Sequence, residues 1–179
     1  MRLQTASSCS HLERRCVNGY LAAGLSILVS AVTMGGGIAL LVWQRRLLPG
    51  ARAFALYMLA VTEWVLGYAL MLAAPDREMQ ALWGNIRNIG VVAAPTLWFI
   101  FILAYTQHDR WLTRRRLALL AIPPLVSITV IWTNAWHGLF AGEAVWDAEA
   151  PFPLIKLDRI GPWFWVNLFY SDVLSSISV

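Results

Sequence analysis

Charge is scarce in this chain. Asp, Glu, Lys and Arg make up 13% of its 179 residues, against 59% hydrophobic, where a soluble domain would be about a quarter charged. The mean hydropathy of +0.59 points the same way and argues against a water-soluble globule. Cysteine is nearly absent: Cys9 and Cys16 both lie in the N-terminal tail, at a spacing that matches no zinc motif and with no apolar stretch before them to make a lipoprotein signal. They read as incidental thiols. The three histidines, His11, His108 and His137, all lie outside the long apolar runs. That excludes a haem cytochrome, which needs axial ligands inside the bundle. There is no GxxxxGK, no HExxH and no nucleophile elbow, so no enzymatic activity is expected of this chain, and neither is a cofactor or a metal. The net charge of +4 is spread over short arginine clusters between apolar runs rather than one patch. Such clusters are topology signals, and no nucleic-acid partner is expected.

What the chain has instead is apolar length and ten tryptophans, a composition suited to two membrane interfaces. Residues 1–18 are polar and read as an unstructured extracytoplasmic tail ahead of a transmembrane domain over 19–179. Residues 19–43 are the first long run, too long for a signal-peptide core and followed by Gln44-Arg45-Arg46 rather than a cleavage site. Within it Ala22, Ser26 and Ser30 recur every fourth residue ahead of Gly35, Gly36 and Gly37, a pattern that lets helices pack closely. A basic turn with Pro49-Gly50 leads to a second span, 54–74, closed by Pro75-Asp76. The third span, 86–106, runs without a formal charge from Ile89 to Tyr105 and carries Pro95 and Thr96 at its middle. Pro95 frees the carbonyl of Val91, which must find another partner in lipid, so this helix is expected at the centre of the bundle. The fourth span, 117–133, contains Pro123 and Pro124; residues 134–160, broken by Gly138, Gly142, Pro151 and Pro153, read as loop. The aromatic block PWFWVNLF opens a fifth span, 162–179. The fold class is therefore all-α, a polytopic helical membrane protein.

The turns after spans one and three hold seven arginines together, whereas the opposite loops hold few bases. By the positive-inside rule those turns are cytoplasmic and the N-terminus is outside. Glu63 then falls near the midplane of the second span, where a charged carboxylate costs at least ~2.5–3.5 kcal/mol. It is expected to be neutral and to face the bundle, bonding Thr96 or the carbonyl freed by Pro95. Two roles stay open for it: a ligand- or proton-sensing group, or an interhelical hydrogen bond. Arg87 and Asn88 sit at the outer mouth of the third helix, where Arg87 either snorkels to the surface or holds an anionic ligand in an outward cavity. His137, beside Asn134 in the outer loop, is either pH-sensitive or bonded locally. Most tryptophans read as interface anchors, with a few, Trp98 among the candidates, left to line a pocket for a small hydrophobic or amphipathic ligand. Asp172 also lands near mid-membrane, in a tail poor in large apolar residues.

Four stretches carry a family likeness: LAVTEWVLGYAL (59–70), LWGNIRNIGVVAAPTLWFIFILAYT (82–106), LLAIPPLVSITVIWTNAWHGLF (119–140) and GPWFWVNLFYS (161–171). In order and spacing they resemble the N-terminal seven-transmembrane sensor region of bacterial histidine kinases. The resemblance implies five spans of an incomplete seven-helix bundle in a bacterial inner membrane. It also implies a small-molecule ligand or membrane state as stimulus, a cytoplasmic kinase or other signalling output beyond this chain, and a homodimer when full length. Glu63, Arg87, Asn88, Trp98 and His137 are then the sensing candidates; Pro95, Thr96, Pro123, Pro124 and Asn134 are structural ones. The rival readings are a small proton-coupled transporter subunit using Glu63 and Asp172, or an inactive fragment.

Overall fold

In a computed structural model, the structure describes residues 2–45, 48–107, 111–142, 144–147, 154–157 and 159–177. Its elements are α1 (Arg2–Gln44), α2 (Ala51–Ala73), α3 (Arg77–Tyr105), α4 (Arg114–Trp132), α5 (Asn134–His137), β1 (Ala144–Asp147), β2 (Leu154–Leu157) and α6 (Pro162–Ile177). Four of these are long and apolar enough to cross a bilayer: Gly24–Gln44 of α1, then α2, α3 and α4. The chain is thus a polytopic helical membrane protein.

Several boundaries differ from the sequence reading. The polar residues 2–18 continue α1 as helix rather than forming a loose tail. The expected fifth span opens as α6, described over the 16 residues Pro162–Ile177. The four helices of spanning length lie among the described residues, and 178 and 179 lie outside them. The third helix starts nine residues early, at Arg77, and its 29 residues extend ~43 Å. Its early start has a local cause: Asp76 is the N-cap, its carboxylate accepting the Met79 N–H at 2.9 Å, with Glu78 favourable at the positive end of the helix. Residues 134–160, read as loop, contain α5 and an antiparallel β1–β2 hairpin in the register Ala144↔Leu157 to Asp147↔Leu154.

The basic turns behave otherwise. Gly50 takes φ 78° at the N-cap of α2, a left-handed conformation that glycine adopts without strain. Arg110 and its neighbours 108 and 109 lie outside the described residues, but Arg114, Arg115 and Arg116 form the first turn of α4. Three cations at a helix N-terminus oppose the helix dipole, worth ~0.3–1 kcal/mol each. Anchoring at a membrane face explains why they are tolerated there, and Arg116 also stacks over Trp111 at 4.3 Å.

Small residues set the packing. α2 and α3 pack against each other, with Ala55, Gly67 and Ala69 buried on α2 and Gly90, Val92 and Ala94 buried on α3. A Cβ at Gly90 would collide with the Ala60 carbonyl and the Glu63 carboxyl. One at Gly67 would lie 2.8 Å from Arg87 Cβ. On α1, Gly35 makes the equivalent approach to Thr62 of α2. Gly36 and Gly37 face open space, and Ser26 and Ser30 are exposed, Ser30 bonding back to the Ser26 carbonyl. The small-residue stripe of α1 thus contacts α2 through one glycine.

Proline explains the other seam. Pro124 has no N–H to give the Leu120 carbonyl one turn earlier. The Tyr170 hydroxyl of α6 donates to that carbonyl at 2.9 Å. Its single proton being used there, Tyr170 accepts from Thr96 Oγ1 at 3.1 Å. One phenol therefore joins α3, α4 and α6. A second set lies one and two turns away: Trp163 Nε1 donates to Ser127 Oγ at 3.1 Å, and Ser127 donates to Asn167 Oδ1 at 3.3 Å.

Candidate functional site

The end of α2, the first turns of α3, the end of α4 and the segment that follows all meet on one side of the bundle. Between them lies an open cavity of about 590 Å³, within the size range of small-molecule sites. Its walls include Arg87 and Asn88 from α3, Trp132 from α4, Trp136 and His137 from α5, and Arg159.

The segment after α4 is held in shape by Asn134. Its Nδ2 donates to the Ala141 carbonyl (2.9 Å), while Oδ1 accepts the N–H groups of Phe140 (2.9 Å) and Ala141 (3.2 Å). Gly138 follows in the left-handed conformation, φ 59°, and reverses the chain. Residues 139–142 are then stitched to 159–163: Gly142 N–H to the Arg159 carbonyl (2.6 Å), Gly161 N–H to Phe140 (2.9 Å) and Trp163 N–H to Leu139 (3.0 Å). Gly161 can come this close only because a Cβ there would collide with the Leu139 carbonyl. This stitching is what brings Arg159 to the cavity, 72 residues after Arg87.

His137 is taken up locally. The Leu139 N–H donates to Nδ1 at 3.0 Å, so Nε2 carries the proton of the neutral ring and donates to Thr133 Oγ1 at 2.9 Å. Thr133 in turn donates to the Thr129 carbonyl at 2.7 Å. The ring thus shapes the wall, and its hydrogen-bonding capacity is filled.

Arg87 is not so provided for. Its Nη2 reaches Asn88 Oδ1 only at 3.4 Å, its guanidinium stands 5.8 Å from the Tyr68 ring, and its Nε is buried without a hydrogen-bond partner. No carboxylate pairs with it among the described residues, and none of the described cavity-lining residues is acidic. A guanidinium offers five donors. This one is half-buried with most of them unused by the protein.

The other sensing candidates lie elsewhere. Glu63 packs against Gly90 in the α2–α3 seam, outside the cavity, and both its carboxyl oxygens are buried without partners. Its expected bond to Thr96 is not formed, because Thr96 points to the opposite side of α3, at Tyr170. Trp98 belongs to an aromatic ladder toward the other end of the same seam. Its ring lies 5.3 Å from Tyr57 and 5.5 Å from Phe101, which stacks in turn on Phe54 at 5.0 Å. The cavity therefore unites Arg87, Asn88, Asn134 and His137, and leaves Glu63 and Trp98 out. Sequence reasoning missed Arg159 and Gln80. Gln80 is buried in the wall, its Nε2 3.4 Å from the Ala74 carbonyl. The Asp76 cap was the available sign that α3 reaches back to include it.

A family model described as the N-terminal 7TM region of histidine kinase matches residues 27–179. No curated protein and no solved structure matches the chain.

Proposed function

The chain belongs to the family of N-terminal 7TM regions of histidine kinases, and from that premise we propose that it is a stimulus-receiving input region whose outward cavity admits a small ligand. The supporting observation is the cavity itself: about 590 Å³, open, mixed in polarity and walled by four separate segments of the chain. A ligand touching α2, α3, α4 and the outer clasp at once biases their mutual packing, provided it fits one packing better than another. In this reading the basic turns face the cytoplasm of a bacterial cell, the N-terminus is outside, and the helices pass the bias to a kinase or related output, acting as a homodimer.

The test places this region ahead of a histidine-kinase core, with Cys9→Ser and Cys16→Ser removing the native thiols. Ala135→Cys, on the cavity wall, is then tethered with a membrane-impermeant thiol reagent. A change in autophosphorylation on tethering is expected. Complete modification with unchanged kinase output would overturn the sensory reading.

A further inference from the structure

We infer that the cavity is an oxyanion site, built for a small amphipathic carboxylate whose head lies between Arg87 and Arg159 and whose apolar body rests on Trp132 and Trp136; this rests on the cavity being the stimulus site proposed above. Both arginines line it, and no acidic residue appears among its described walls. Arg87 has a buried Nε without a partner, its one side-chain hydrogen bond is long, and it makes no ion pair among the described residues. A guanidinium desolvated to that degree is costly unless an anion completes its donors. The planar fork of arginine is matched by a carboxylate, which accepts two parallel N–H bonds. Asn88 adds an amide beside it.

The remaining wall sets the rest of the ligand. Ile131, Trp132, Trp136 and Phe140 supply apolar and aromatic surface. Trp136 is 88% exposed and so has a face free to cover a ring or short alkyl chain. His137 contributes shape rather than charge, since both ring nitrogens already have partners. A free inorganic anion would leave this apolar surface wet. A solute with a carboxylate at one end and a ring or short chain at the other uses both parts.

The 179-residue chain in phosphatidylcholine nanodiscs is assayed by equilibrium dialysis with radiolabelled phenylacetate, indole-3-acetate and hexanoate, each against its neutral amide. At least one acid is expected to bind saturably and roughly ten-fold or more tighter than its amide, the effect of one charge-assisted interaction. Arg87→Gln and Arg159→Gln should each remove about that factor, and Arg87→Lys should keep part of it. Arg159 lies outside every helix, so R159Q decides the matter where R87Q alters helicity or elution. Repeating the assay in phosphatidylglycerol discs separates sources: weaker acid binding there shows that a lipid headgroup competes for the same arginines. Equal binding of acid and amide, or no saturable binding of any of the three acids, overturns the inference. The failures are distinguishable. Equal acid and amide binding removes the charge assignment and leaves the tethering result at Ala135 standing; an unresponsive kinase core removes the sensory role without changing the acid-to-amide ratio.

Discussion

Replacing Tyr170 by Phe deletes one oxygen and breaks the junction of three helices. The Tyr170 hydroxyl donates to the Leu120 carbonyl at 2.9 Å and accepts from Thr96 at 3.1 Å. Two scales bound the cost. Side-chain hydrogen bonds between membrane helices average ~0.6 kcal/mol and reach ~1.7, because the separated helices find other partners. A buried acceptor left with none costs ~1–3 kcal/mol. Leu120 belongs with the second scale: Pro124 has no N–H to return to it, so the separated helix offers no substitute. Thr96 adds little, since its hydroxyl can turn back to a carbonyl of its own helix. The expected loss is about 1–1.7 kcal/mol. Pro124→Ala supplies the missing N–H, so in that background Tyr170→Phe should cost no more than about 0.5 kcal/mol, a coupling near 1 kcal/mol. Reversible SDS-induced unfolding in mixed micelles, run on all four variants, measures the cycle. A Tyr170→Phe cost that is equal in both backgrounds within about 0.3 kcal/mol would refute the assignment of the hydroxyl to the proline-freed carbonyl.

Gly90→Ala should destabilise by about 1–3 kcal/mol, because the new methyl meets the Ala60 backbone carbonyl, which cannot swing away. Gly36→Ala, facing open space, should be neutral or gain up to about 1 kcal/mol in the same unfolding assay. Glu63→Met should raise stability by about 1–3 kcal/mol, since both oxygens it removes are buried without partners, whereas Glu63→Gln should change little. A loss above about 1 kcal/mol for Glu63→Met would reveal a partner on the carboxyl. Asn134→Ala removes three bonds that shape the segment after α4 and should cost about 2–3 kcal/mol. It should also abolish acid binding in the dialysis assay, because the segment carrying Arg159 loses its anchor.

The sequence made some of this plain and hid the rest for physical reasons. Apolar length located the spans, because a bilayer demands about 20 residues whatever the helix packs against. Pro49-Gly50 announced its turn through the left-handed φ of Gly50. Hydropathy misjudged the start of α3, since Arg77 and Glu78 look like loop until Asp76 is recognised as a cap. Helix rotation was the deeper obstacle. Depth alone put Glu63 level with Thr96, but the two face opposite sides of α3, toward Gly90 and toward Tyr170. Arg87, Asn88 and His137 could be grouped because all lie at one membrane face. Arg159 could not, because its place depends on backbone bonds between 139–142 and 159–163 that residue type does not reveal.

The cavity is expected to open to the outside and the arginine-rich turns to lie in the cytoplasm. In a variant carrying Cys9→Ser and Cys16→Ser, Trp136→Cys on the exposed cavity rim and Thr113→Cys ahead of α4 report the two faces. With a membrane-impermeant maleimide on intact cells, position 136 should label fully and position 113 only after lysis. Labelling of 113 but not 136 in intact cells would contradict the account, since the cavity would then open to the cytoplasm.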